Sequence, residues 1–101
     1  MSVPSGPDSA VRLVRVRGLV QGVGYRYACV QQARALGLTG WVRNRRDGSV
    51  EALLQGTQLQ VERMCQWMRT GVPGARVDTI ETGDVAPPAE ALRVFEQRPT
   101  A

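Results

Sequence analysis

Trp41-Val42-Arg43-Asn44-Arg45-Arg46 and Ser49-Val50-Glu51-Ala52-Leu53-Leu54-Gln55 are two strand-like runs separated only by Asp47-Gly48. That dipeptide supplies the positive backbone angles of a tight hairpin turn, so the runs read as two antiparallel strands. On either side of this hairpin the apolar period changes from strand-like to helical. Upstream, Tyr25, Ala28, Cys29, Ala33 and Leu36 recur at helical spacing and predict a helix over residues 25–36, with Gly37 where a C-terminal cap glycine belongs. Downstream, Thr57 and Gln60 have the spacing of a capping box, and Val61, Met64, Cys65 and Met68 form an apolar stripe at i, i+3, i+4 and i+7. A second helix is expected to about Thr70, where Gly71, Pro73 and Gly74 break it.

Further out, residues 11–18 are rich in valine, with Val14 and Val16 on one face, and read as a strand even though Leu13 interrupts the alternation. Residues 76–81 read as another strand, and a loop through Pro87-Pro88 leads to a short last one over residues 92–96. Residues 1–10 contain Ser2, Pro4, Ser5, Gly6, Pro7, Asp8 and Ser9 with almost nothing apolar, which predicts a mobile tail before a single domain over residues 11–99. The order is strand, helix, strand, strand, helix, strand, plus an extra C-terminal strand. It predicts an α+β fold, a ferredoxin-like split βαββαβ sandwich with both helices on one face of a mainly antiparallel sheet. Fold alone assigns no function.

Composition narrows the chemistry. The chain has 101 residues, 43% of them hydrophobic, enough for one domain and one core. It has no histidine, which removes the commonest general base, the commonest metal ligand and every Ser-His or Cys-His nucleophile. All 13 basic residues are arginines, so lysine Schiff-base chemistry is excluded, and the net charge of +4 favours anionic partners. Cys29 and Cys65 are too few for a disulfide framework and too isolated for a metal site. No start resembles a secretory signal and no apolar run nears the roughly 20 residues that cross a bilayer, so a cytoplasmic protein without a membrane partner is expected. Nothing in the pattern calls for an obligate partner, and a monomer is expected.

Two clusters could hold chemistry. Gly18-Leu19-Val20-Gln21-Gly22-Val23-Gly24-Tyr25-Arg26 joins a strand to a helix N-terminus, where free N–H groups form a nest for an anion. Arg26 is unfavourable to the helix dipole there unless an anion is bound. The other reading is a plain glycine-rich connection followed by an arginine. In the second cluster, Asn44 stands near a strand end, where it is either functional or the start of the turn. Arg43, Arg45 and Arg46 read as a solvated, edge-protecting charge run, and Trp41 as sheet packing rather than a stacking platform.

Together these clusters resemble the acylphosphatase family. Val20-Gln21-Gly22-Val23-Gly24-Tyr25-Arg26, the run from Ala33 to Asn44, and Asp47-Gly48-Ser49-Val50-Glu51 carry the resemblance, supported by Pro73-Gly74-Ala75-Arg76-Val77-Asp78 and by Phe95 and Arg98. Tyr25 stands where phenylalanine is more usual. The resemblance implies hydrolysis of the carboxyl–phosphate bond of acyl phosphates to a carboxylate and inorganic phosphate. By it, Gln21, Gly22, Val23, Gly24, Tyr25 and Arg26 would form the phosphate-binding loop, and Arg26 and Asn44 would be catalytic, Asn44 positioning the attacking water. No cofactor or metal is implied, and inorganic phosphate would act as product and inhibitor. Two rivals belong to other classes. A nucleic-acid module of this fold type stacks bases on central-strand aromatics, and residues 11–17 and 49–55 contain none, so no nucleic-acid partner is expected. A phosphate-binding module without turnover would have no need of Asn44.

Overall fold

The computed structural model describes residues 9–101, so the part of the expected tail at residues 1–8 lies outside the described residues. The elements in chain order are β1 (Ser9–Leu19), α1 (Tyr25–Ala35), β2 (Thr39–Asn44), β3 (Val50–Thr57), α2 (Gln58–Thr70), β4 (Arg76–Asp84) and β5 (Phe95–Gln97). They form one five-stranded sheet in the order β4-β1-β3-β2-β5, antiparallel throughout except that β5 runs parallel to β2. Each helix connects two strands that are separated in the sheet by a third, which is the split arrangement expected.

One face of the sheet carries the main core. Val14 and Val16 of β1, Val42 of β2, and Val50, Ala52 and Leu54 of β3 pack beneath Tyr25, Cys29 and Ala33 of α1 and Val61, Met64 and Met68 of α2. The helices form where the apolar stripes predicted them. At the start of α2 the capping box is complete: the Gln60 amide N–H donates to Thr57 Oγ1 at 3.2 Å, and the Thr57 N–H donates to Gln60 Oε1 at 2.8 Å. Both cysteines are free and buried, and burial pushes the Cys29 thiol up to about 12.

The opposite face holds a smaller apolar cluster of Val11, Trp41, Leu53 and Leu92, with Leu13 packed against it. That explains why Leu13 broke the alternation of β1: both faces of the sheet are partly apolar. It also corrects the expected last strand over residues 92–96. Leu92 turns onto this second face, and pairing with β2 begins only at Phe95, opposite Gly40. Trp41 is sheet packing, as expected, with the Arg43 guanidinium 4.6 Å from its ring centroid.

Four other expectations need correction. Ser9 and Ala10 belong to β1 rather than to a tail, because Ala10 is buried opposite Gly56 and Ser9 lies opposite Thr57. Residues beyond 99 are also held: the Ala101 N–H donates to the Asn44 carbonyl at 3.0 Å, and the Arg46 N–H donates to that of Ala101 at 2.8 Å. The hairpin connection is five residues long, from Arg45 to Ser49, because the Arg45 N–H bonds the Ser49 carbonyl and Asp47 is drawn into the turn. Its carboxylate accepts the Ser49 N–H and hydroxyl, bonds that hold Asp47 down at about 2. Lastly, Arg43 and Arg45 are not a solvated run. With Arg15 they converge on Glu51, whose side chain is nearly buried, at 2.7 to 3.2 Å. Burial pushes the Glu51 carboxyl up, but hydrogen bonds from Arg15 and Arg43 and the nearby charges outweigh it, so its pKa lies below the ordinary value. Arg46 is exposed.

Candidate active site

Between the end of β1 and the start of α1 the chain makes a loop that only glycine allows at two points. Gly22 has φ 75° and Gly24 has φ 78°, both left-handed. Gly24 is also the N-cap of α1, so no side chain caps that end, and the first turn contains no acidic residue. The first N–H groups of α1 are therefore left to an external acceptor, in contrast with the filled cap of α2. Arg26 adds a second positive element to the positive end of the helix dipole. Among the described residues it has neither an ion pair nor a side-chain hydrogen bond.

Asn44 reaches the same place from the sheet. It is the last residue of β2 and, by alternation from Val42, projects on the face that α1 covers. Its side-chain oxygen Oδ1 is buried and accepts no hydrogen bond among the described residues. Asn44, Arg26, Gly22, Gly24 and Tyr25 all line one small pocket of about 130 Å³, with Val20 alongside. Two residues 18 positions apart in the chain thus meet at an uncapped helix start.

Three predicted loop residues play other parts with their side chains. Gln21 Nε2 donates to the carbonyls of Arg45 and Ser49 at 2.8 and 2.9 Å, strapping the loop to the hairpin that carries Asn44. Val23 packs against the main core. The Tyr25 ring is buried and its hydroxyl donates to the Met68 carbonyl at 2.7 Å, fixing the start of α1 against the end of α2. Burial raises the Tyr25 phenol above its ordinary value, so the group stays neutral.

Tyr27 and Gln97 also line the pocket, and sequence reasoning named neither. Tyr27 adjoins Arg26 in the first turn but lies off the apolar stripe, which drew attention only to buried positions. Gln97 comes from β5, and only closure of the sheet brings it beside β2; no local pattern signals that. Among the described residues, no three Cys, Asp or Glu side chains converge as metal ligands, and no helix is long and apolar enough to cross a membrane. Chemically, the pocket offers a guanidinium, unpaired backbone donors and one buried carboxamide acceptor, a set suited to a tetrahedral anion and a water beside it.

The acylphosphatase family model matches residues 12–96 of the chain. The chain is 61% identical to Acylphosphatase 1 of Ralstonia nicotianae over 89 residues, which is 88% of this chain and 87% of that protein. Among solved structures it is similar to an acylphosphatase from Coxiella burnetii, with a TM-score of 0.83 and 31% identity over 90% of this chain and 94% of that one. An acylphosphatase from Bacillus subtilis matches with a TM-score of 0.81 and 32% identity, over 87% and 97% of the two chains.

Proposed function

As a member of the acylphosphatase family, to which this chain belongs, the protein hydrolyses acyl phosphates, and we propose that it does so in the pocket between the glycine loop and the end of β2. The observation that carries this reading is the meeting of Arg26 and Asn44 at the uncapped start of α1. The phosphoryl oxygens sit against the loop N–H groups and the Arg26 guanidinium, which neutralise their charge in a bidentate fork. Asn44 Oδ1 accepts a hydrogen from a water and so aims its oxygen at phosphorus, opposite the bond to the acyl group. Water attacks, the phosphorus–oxygen bond to the acyl group breaks, and the leaving group departs as a carboxylate.

A carboxylate is a weak base and needs no general acid to leave, which suits a site without histidine. A neutral carboxamide cannot take a proton from water, so that proton passes to a phosphoryl oxygen and leaves with inorganic phosphate. The site is complete within one chain, and the enzyme acts as a monomer. The direct test is to incubate the protein with a simple acyl phosphate and follow phosphate release. Inorganic phosphate should inhibit competitively, since it occupies the same nest; inhibition that leaves the apparent KM unchanged would place it elsewhere.

Metal removal should leave the rate intact. Arg26 and the helix start supply the positive charge that a metal otherwise brings, and the chain has no imidazole to ligate one. A rate that vanishes on exhaustive chelation and returns with one divalent ion contradicts this mechanism. The thiols should be equally dispensable. Buried and raised in pKa, Cys29 and Cys65 are protonated at neutral pH and packed as small hydrophobes. Cys→Ala at either position should keep turnover and cost about 1 kcal/mol of stability or somewhat more. A thiol reagent that stops natively folded protein would point instead to a covalent intermediate.

A further inference from the structure

The pocket is small for a site that encloses its whole ligand. Sites that enclose a small molecule usually measure roughly 300 Å³ or more, and this one has about 130 Å³. If Arg26, Asn44 and the glycine loop take the phosphoryl group and its water, the acyl group lies across the rim. Besides the two loop glycines, the exposed residues that line the pocket are Tyr27 and Gln97. Tyr27 is 65% exposed, one of the few large apolar side chains left open to solvent. Its position follows from helix geometry. Successive residues turn by about 100°, so with Tyr25 directed into the core and Arg26 at the pocket, Tyr27 stands clear of the sheet beside the open end of the helix.

We propose that the Tyr27 ring, on the pocket rim beside Gln97, is the contact surface for the acyl group and makes the enzyme favour aromatic over small acyl phosphates. The proposal rests on the phosphoryl group being held by Arg26 and the loop. An aryl group laid on an aromatic side chain gains a dispersion and quadrupole term beyond simple burial, which a methyl group cannot collect. The expected size is a factor of about three to ten in kcat/KM. The contact lies away from the breaking bond and is made in ground and transition states alike, so its loss should appear mainly in KM.

The experiment compares benzoyl phosphate and acetyl phosphate as substrates for the wild-type protein, Tyr27→Ala, Tyr27→Phe and Arg26→Ala. Tyr27 is exposed, so its variants should fold, which circular dichroism and thermal melting check. The ratio of kcat/KM for benzoyl over acetyl phosphate should fall about three- to tenfold in Tyr27→Ala, through KM, and be kept in Tyr27→Phe. An unchanged ratio in Tyr27→Ala, with Arg26→Ala inactive, overturns the acyl subsite alone. Normal turnover by Arg26→Ala overturns the phosphate site and the subsite with it. A fall in kcat of equal size for both substrates assigns Tyr27 to the chemistry or to loop integrity and also overturns the proposal.

Discussion

Arg26→Lys is expected to lose turnover by roughly 100-fold or more while keeping its fold. A lysine ammonium is a point charge on a flexible stem and cannot present two parallel N–H donors to a phosphoryl group. Arg26→Ala should be at least as inactive. Stability should move the other way. Arg26 makes no ion pair among the described residues and sits at the positive end of α1, so removing it relieves a repulsion with the helix dipole. Arg26→Ala should therefore melt slightly above the wild-type temperature, and Arg26→Lys, which keeps the charge, close to it. Thermal unfolding and acyl phosphate turnover measured on the same preparations check both halves. Near-normal turnover by both variants would mean that the phosphate is bound elsewhere.

Asn44→Ala should separate binding from chemistry. The nest and Arg26 remain, so most of the affinity for inorganic phosphate should survive. What goes is the acceptor that orients the water, an interaction realised chiefly on the way to the transition state, and turnover should fall by at least about 100-fold. Little stability should be lost with it, because Asn44 Oδ1 has no hydrogen-bond partner among the described residues. Asn44→Asp should fail as a rescue: a carboxylate beside the phosphoryl group repels it and loses the amide donor. Turnover and phosphate titration of both variants decide the matter. Intact turnover in Asn44→Ala would remove its role, and lost phosphate binding would make Asn44 a direct ligand contact.

What could be read without coordinates was local. The Thr57 and Gln60 pair announced α2, Asp47-Gly48 announced the hairpin, and Gly22 and Gly24 announced the loop that leads into α1. Asn44 was legible as an oddity at a strand end, and resemblance to a family supplied the role proposed for it. The misreadings came from contacts made between strands, which no single run of residues displays. Arg43 and Arg45 looked solvated because their partner, Glu51, and the third arginine on it, Arg15, belong to neighbouring strands. Ser9 and Ala10 looked like tail because their small side chains carry no hydrophobic signal, yet they lie opposite Thr57 and Gly56 respectively. Gln97 had no local signal at all, since the sheet edge alone puts it in the pocket.

The place of β1 between β4 and β3 in the sheet has a consequence for how the molecule comes into being. Its two flanking strands, β3 and β4, both lie far downstream, and Arg12 at its start bonds Asp84, 72 residues later. Large loops must close before these pairings return any free energy, which places folding toward the slow end for a chain of this size, in milliseconds to seconds. During synthesis β1 leaves the ribosome before β3 and β4 and waits for them, with backbone groups along its β4 edge the last to be paired. Such an edge invites pairing with other nascent chains. Arg12, Arg15 and Arg17 are set among the valines of this strand, so the waiting segment carries three positive charges in eleven residues and repels its own copies until its proper neighbours arrive.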